Sequence, residues 1–224
     1  MSLRKTLLAI LVGTAVLLDN ENVVANNNVE SELERRVNVY YDNAGKFRGA
    51  IAGIERVNSY EEYFERFAKK YSIEYDVDIP IELVKAIAFV ETRGRHFSLG
   101  RIVESGSGAL GIMQLMPTTA RKMKVNPYKI NGNIKGGVKY LAYLLSKTKG
   151  NVLDAILLYN CHIQNVKEAK RKSGSDDYFV YRNFVKKNAR GYVSHVLAVL
   201  PFFNAKYNRE SGRVERLYKG YVAE

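Results

Sequence analysis

Glu91 is the side chain of this chain best suited to acid chemistry. It lies early in the stretch 81–120, IELVKAIAFVETRGRHFSLGRIVESGSGALGIMQLMPTTA. Val84, Ile87, Ala88 and Glu91 fall at i, i+3, i+4 and i+7, so an α-helix carries them on one face. Three are apolar and the fourth is a carboxylate. Ionising an unpaired carboxylate on a buried stripe is costly, so its pKa rises and it becomes able to donate a proton near neutral pH. The alternative is a helix that ends near Gly94 and turns Glu91 out to water. The second half of the stretch bears on that choice. Residues 105–111 (SGSGALG) hold too many glycines for a helix interior and predict a tight turn with close backbone approach. Pro117 then suits the first position of a new helix. Gln114 is the one strong side-chain hydrogen-bonder of the turn.

Several separated motifs now stand in order. Glu91-Thr92 comes first, then Ser-x-x-Gly-Ala-x-Gly-Ile-Met-Gln-Leu-Met-Pro-x-Thr-Ala over 105–120, then Leu-Tyr-Asn at 158–160. Together they resemble the catalytic domain of the soluble lytic transglycosylases, which cleave the glycan strands of bacterial peptidoglycan. The resemblance spans roughly residues 60–205. It implies a mainly α, lysozyme-like α+β fold: a single catalytic domain, here with an N-terminal extension. It implies no cofactor and one catalytic glutamate, in the position of Glu91. That residue would protonate the bond between N-acetylmuramic acid and N-acetylglucosamine. It would then act as base on the C6 hydroxyl of the same muramyl ring, leaving a 1,6-anhydro sugar without water.

Carried over residue by residue, Thr92 stands where the family usually has Ser. Ser105 matches the loop serine, and Gly111, Met113 and Gln114 match the run that lines the groove. Tyr159 matches the tyrosine whose hydroxyl contacts the catalytic glutamate, and Asn160 the adjacent substrate-binding asparagine. Two departures stand out: the linker from Glu91 to Gly111 is long for the family, and Cys161-His162 replaces the usual Ala-Gly.

Other chemistries find less support in the residues. Glu104, the nearest second carboxylate, sits in the loop beside Ser105 and is expected to be solvated, while Asp154 belongs to a helix cap region. That argues against a hydrolysing muramidase of the same fold, which needs a second acid. An inactive glycan-binding relative is disfavoured by Glu91, Gln114 and Tyr159 occurring together. Adjacent Cys161 and His162 cannot readily place both groups on one reacting atom. His96, His162 and His195 are too scattered for a metal set. The glycine-rich run lacks the Lys-Ser/Thr ending of a phosphate loop.

The elements that must position these residues read as helices. Ser59-x-x-Glu62 has the capping-box pattern, followed by Tyr60, Tyr63, Phe64, Phe67 and Tyr71 at helical spacing, an aromatic core stripe. Residues 76–80 break that helix before the one carrying Glu91. Asn133 is expected to cap a helix that buries Ile134, Val138, Leu141, Ala142 and Leu145. Lys149-Gly150-Asn151 stops it and caps the next, where Val152, Ala155, Ile156 and Tyr159 share a face. Residues 167–176 read as a polar loop or helix end. Val193, Val196, Leu197, Leu200 and Phe203 line a last helix, ended or bent by Pro201. Strand signal is confined to 98–108.

Composition narrows the partner and the first residues choose the compartment. The chain is 46% hydrophobic and 26% charged, as a globular protein is, with a formal net charge of +12 that suits a polyanionic partner. The charge does not choose among nucleic acid, an acidic membrane face and an anionic cell-wall polymer; no nucleic-acid recognition motif is present, and the resemblance implies the peptidoglycan glycan strand as partner, with peripheral association at the envelope. Arg4 and Lys5 precede the apolar run 7–18, and Val23-Val24-Ala25 offers a cleavage site. This is the layout of a secretory signal peptide, predicting a periplasmic or extracellular protein. Cys161 is the single cysteine, so no internal disulfide forms. The domain plan is 1–25 signal peptide, 26–58 extension with a short helix over 30–39 and a turn at 42–45, 59–205 catalytic domain, and 206–224 charged tail.

Overall fold

The computed structural model describes residues 44–208 and 211–216, so the leader at 1–25 and the helix expected over 30–39 lie outside the described residues. Helices dominate: α1 (Ala44–Asn58), α2 (Glu61–Tyr75), α3 (Ile81–Thr92), α4 (Pro117–Met123), α5 (Ile130–Lys147), α6 (Val152–Asn160), α7 (Ile163–Ser173), α8 (Tyr178–Tyr181) and α9 (Lys187–Val199). Two 3₁₀ turns follow α8 and α9, at Arg182–Phe184 and Leu200–Phe203. Two antiparallel hairpins complete the body: β1 (Phe97–Ser98) with β2 (Arg101–Ile102), and β3 (Ala205–Asn208) with β4 (Arg213–Arg216).

α3 is the axle. Leu83, Val84, Ala86, Ile87, Ala88 and Phe89 are all buried, so the helix is enclosed around most of its circumference rather than along one stripe. α1, α2, α9 and the 3₁₀ turn at Leu200–Phe203 enclose it, with Phe203 set edge-on to Phe89 at 6.2 Å. The polar side chains near its start reach out to partners. Lys85 pairs with Glu61 of α2, and Glu82 accepts from Arg216 Nε at 2.6 Å. Arg93 ends the helix in the left-handed conformation, donating its N–H to Phe89.

Several local expectations give way to tertiary contacts. The capping box at Ser59 does not form: Ser59 Oγ donates instead to Arg56 O at 2.7 Å, and α2 starts at Glu61 without a side-chain cap. The aromatic stripe does enter the core through Phe64, Phe67 and Tyr71. The turn expected at 42–45 is overtaken by α1, which already includes Ala44 and Gly45 and buries Ala50 and Val57. Of residues 167–176, read as a polar loop or helix end, 167–173 are the second half of α7. The stretch set apart as a charged tail supplies β4, whose Arg216 holds the first turn of α3. Asn151 caps α6 as expected, accepting from Asp154 N at 3.0 Å.

The long linker after Glu91 becomes the β1–β2 hairpin. Its turn residues Leu99 and Gly100 both take positive φ, 49° and 74°, which matches the strand twist of a two-residue hairpin. Among the described residues no helix is long and apolar enough to cross a membrane.

Candidate active site

Glu91 sits in the last turn of α3, where the axle helix comes close to the surface. Its carboxylate accepts a 2.6 Å hydrogen bond from the hydroxyl of Tyr192 on α9. Burial raises its pKa from 4.5 to about 7, and the Tyr192 hydroxyl partly offsets the rise by stabilising the charged form. Near neutrality the group is therefore poised between acid and base. Tyr192 and Tyr159 both lie close enough for the Glu91 charge to raise their own pKa values, after burial, which is the larger cause.

Tyr159 is thus a neighbour of Glu91 but not its hydrogen-bond partner. Its hydroxyl donates to Met113 O at 3.0 Å. The role expected of Tyr159 falls to Tyr192, a residue the sequence reading passed over. The only trace of it there is a tyrosine one place before the apolar face that starts at Val193. Tyr159 instead fastens the glycine turn to the C-terminal end of α6, with Tyr140 tilted against its ring at 5.4 Å.

That turn is held from four directions. Thr92, next to Glu91, donates from Oγ1 to Ile112 O at 3.1 Å, a task the serine usual at this position would also perform. Asn133 Oδ1 accepts from Met113 N at 2.8 Å, while its Nδ2 donates to Leu110 O at 2.7 Å and Pro127 O at 2.9 Å. His96 accepts from Ile112 N at Nδ1 and meets Tyr128 O at 3.0 Å through Nε2, which places the ring proton on Nε2. Burial lowers the His96 pKa and keeps the ring neutral. Tyr159 is the fourth support. Asn133 was expected as a helix cap and His96 was considered only as a metal ligand. Both are buried brackets, with Asn133 inside the first turn of α5.

Two glycines make the fit possible. Gly111 has φ +71°, and a Cβ there would lie 2.5 Å from His96 Nδ1 and 2.6 Å from Asn133 Nδ2. Gly137 lets α5 approach the turn, since a Cβ would meet the Met113 Cβ at 2.6 Å. A glycine inside a helix costs about 1 kcal/mol relative to alanine, and here it admits the turn.

The remaining expected site residues divide by exposure. Met113 is 0% exposed and Gly111 is buried, so both shape the turn from beneath rather than facing a groove. Gln114 is half-buried with φ +46°, an uncommon conformation for its type, fixed by Nε2 donating to Gly111 O at 2.9 Å. Ser105 closes its own loop, with Oγ accepting from Ala109 N at 3.0 Å. Asn160 is exposed, one residue beyond Tyr159. Glu104 is exposed, as expected.

The Cys161-His162 pair carries no nucleophile. Burial raises the thiol pKa to about 11, and His162 Nδ1 accepts from Gln164 N at 3.3 Å as the cap of α7. Deeper down, Asp154 bonds the Tyr181 hydroxyl and pairs with Lys170 at 2.6 Å, tying α6 to α7 and α8.

A mostly helical body with a single poised glutamate at the end of its central helix, and a small hairpin beside it, has the lysozyme-like α+β architecture. Within that class the chain belongs to the transglycosylase SLT domain family, whose model matches residues 62–181. It is 26% identical over 175 residues to a membrane-bound lytic murein transglycosylase F of Actinobacillus succinogenes, covering 72% of this chain and 34% of that protein. It is 28% identical over 130 residues to the protein of the same description in Pseudomonas fluorescens, covering 54% and 24%. The chain spans about a third or less of the length of these curated relatives. The fold is similar to the 70 kDa soluble lytic transglycosylase of Escherichia coli, with TM-score 0.55 and 22% identity over 80% of this chain and 29% of that one. A complex of the 70 kDa soluble lytic transglycosylase with bulgecin A gives TM-score 0.57 at 22% identity, over 89% of this chain and 34% of that one. An inactive Glu-to-Gln mutant of lytic transglycosylase Slt from Pseudomonas aeruginosa gives 0.53 at 23%, over 64% and 23%.

Proposed function

We propose that the protein is an exported peptidoglycan lytic transglycosylase, with Glu91 as acid and then base. The observation that carries this reading is the half-buried carboxylate of Glu91, its pKa raised to about 7 by loss of solvent, hydrogen-bonded to a neutral phenol and acted on by no second acid among the described residues. The inactive Glu-to-Gln mutant named for the Pseudomonas aeruginosa relative agrees with a single essential glutamate.

Protonated Glu91 gives its proton to the oxygen joining the muramyl C1 to the next N-acetylglucosamine, and that C1–O bond breaks. Positive charge develops on the muramyl ring as Glu91 becomes a carboxylate, held in place by the Tyr192 hydroxyl. A buried carboxylate whose conjugate acid has a pKa near 7 is a better base than a solvated one. It takes the proton from the C6 hydroxyl of the same ring as that oxygen closes on C1. Glu91 ends the cycle protonated, and no water is consumed. Gln114 and Asn160 present carboxamides to the glycan, while Ser105, Gly111 and Met113 hold the turn that bears Gln114.

The basic surface favours an anionic wall polymer, and the leader predicted at 1–25 with cleavage after Ala25 takes the chain to the periplasm or beyond. That the similar lytic murein transglycosylases F are membrane-bound agrees with a peripheral place at the envelope. Purified cell walls treated with the protein should release fragments with 1,6-anhydromuramyl ends, lighter by one water than hydrolysed strands and resistant to borohydride. Reducing ends would make it a hydrolase. N-terminal sequencing of the exported form should begin at Asn26.

A further inference from the structure

The β1–β2 hairpin projects from the body, and the catalytic chemistry does not use its tip. Leu99 is fully exposed and Phe97 is 55% exposed, although both are apolar. A Cβ added at Gly100 would meet nothing within 4 Å, so the turn stands clear of the body. Leu99 takes φ +49°, at a turn position that favours Asn or Gly and that a leucine seldom adopts. The turn alone would be better served by a polar residue. Phe97 pairs with Ile102 across the strands and shares a face with it, whereas Ser98 and Arg101 lie on the other face.

Another exposed ring stands beside the base of the hairpin. The His96 ring packs edge-on to Phe97 at 4.6 Å and donates from Nε2 to Tyr128 O at 3.0 Å. Tyr128 is itself 60% exposed. The charge around these residues is of one sign. Arg101 is on the hairpin, Lys129 adjoins Tyr128, and Lys122 and Lys124 precede it. All four are exposed, and among the described residues none pairs with an acid. From 105 to 153 the chain has eight Lys or Arg and no Asp or Glu. The acid nearest the hairpin in the following chain is Glu104, three residues beyond Arg101, where it bridges to Leu110 at the base.

An apolar crest rimmed by cations suits a bilayer with anionic headgroups. At about 3.3 Å per residue, the three residues from Phe97 to Leu99 carry the tip about 10 Å beyond His96. That matches the depth of the headgroup–acyl boundary, roughly 5–10 Å. The crest is too small for a stable protein interface, which takes about 800 Å² from each partner. A wall polymer would meet the cations but offer Leu99 no apolar phase to enter. We propose that the hairpin is a membrane-docking wedge for an anionic phospholipid surface. Leu99 and Phe97 enter the boundary, Tyr128 lies at the interface, and Arg101 and Lys129 meet lipid phosphates. The inference rests on the peripheral envelope location proposed above and not on the cleavage chemistry. Seven residues lead from Thr92 to Leu99, at most about 25 Å of extended chain. Docking would therefore hold the catalytic end of α3 close to the membrane.

The chain has no tryptophan, so Leu99→Trp installs a single fluorophore at the crest. The full chain carrying it is mixed with vesicles of phosphatidylglycerol or of phosphatidylcholine, and emission is followed against lipid concentration. Phosphatidylglycerol should shift the emission maximum to the blue by about 10 nm or more as the indole leaves water. Brominated acyl chains in the same vesicles should quench it. Phosphatidylcholine at the same concentration should do neither. Val180→Trp, at an exposed position of α8, should stay unshifted with both lipids. Adding Arg101→Gln and Lys129→Gln to Leu99→Trp should raise the phosphatidylglycerol needed for half the shift roughly tenfold, and Arg101→Lys alone should not. An unchanged lipid requirement in the double glutamine variant would overturn the proposal. So would no shift of Leu99→Trp on phosphatidylglycerol, even with protein that sediments with the vesicles, since another segment would then be holding it. An equal shift on phosphatidylcholine, or an equal shift of Val180→Trp, would also overturn it. A shift on purified cell walls and not on vesicles would assign the crest to the wall polymer instead. The vesicles hold no glycan, so these outcomes leave the transglycosylase reading to its own test on muropeptide ends.

Discussion

Glu91→Gln should abolish cleavage and, at pH 8, make the protein more stable than the wild type. The unfolded chain ionises Glu91 near 4.5, whereas in the folded chain burial holds the pKa at about 7. Between those values the folded state binds one more proton than the unfolded state. The free energy of unfolding therefore falls as pH rises, by about 1.4 kcal/mol per pH unit. The penalty is absent below pH 4.5, grows through the interval and levels off above pH 7, reaching about 3 kcal/mol. Glutamine does not titrate, and its amide oxygen can still accept from Tyr192. Urea denaturation of both proteins at pH 4.5, 6 and 8 isolates the effect, because every other group titrates alike in the two. The stability of the variant relative to wild type should rise by about 2–3 kcal/mol across that range. A difference that stays flat with pH would mean Glu91 ionises as freely as a surface acid, and the acid–base role argued from its burial would fall. Cleavage should drop by roughly 10⁴-fold or more, since one residue performs both proton transfers.

Tyr192→Phe removes the bond that favours ionised Glu91, so the alkaline limb of kcat/KM should move above pH 7 while the rate falls about tenfold. A limb that stays put would mean Tyr192 does not act on Glu91. Asn133→Ala leaves the N–H of Met113 and the carbonyls of Leu110 and Pro127 without their partner. Chemical denaturation should show a loss of about 3 kcal/mol, and a loss under 1 kcal/mol would deny the bracket role. Cys161→Ser should keep most of the cleavage activity, because the thiol is neutral near pH 7; complete loss with an unchanged circular dichroism spectrum would bring back a nucleophilic cysteine.

Local patterns carried much of this protein. The i, i+3, i+4, i+7 spacing around Glu91, the glycine run before Gln114, Pro117 at a helix start and Asn151 as a cap all depend on residues within a few positions of one another. Each reappears in the structure. Helical periodicity puts Glu91 in register with an apolar face but equally allows a helix end that turns it to water, and the motifs that follow over 105–120 and 158–160 favoured the first. What the pattern leaves open is which distant groups meet that carboxylate. Tyr159 and Tyr192 are both tyrosines on helices that bury apolar faces, and the choice between them depends on how α6 and α9 are rotated and crossed against α3. That geometry gives the bond to Tyr192, 101 residues from Glu91, and turns Tyr159 onto a backbone carbonyl. Asn133 was misread, and the bracket role of His96 passed over once it was set aside as a metal ligand, for the same reason. Each carries a polar side chain whose local options, a cap or a ligand, are the ones visible in sequence. Their actual partners are backbone groups of a turn that only packing brings alongside, and a buried N–H or carbonyl must be paired wherever the fold happens to leave it.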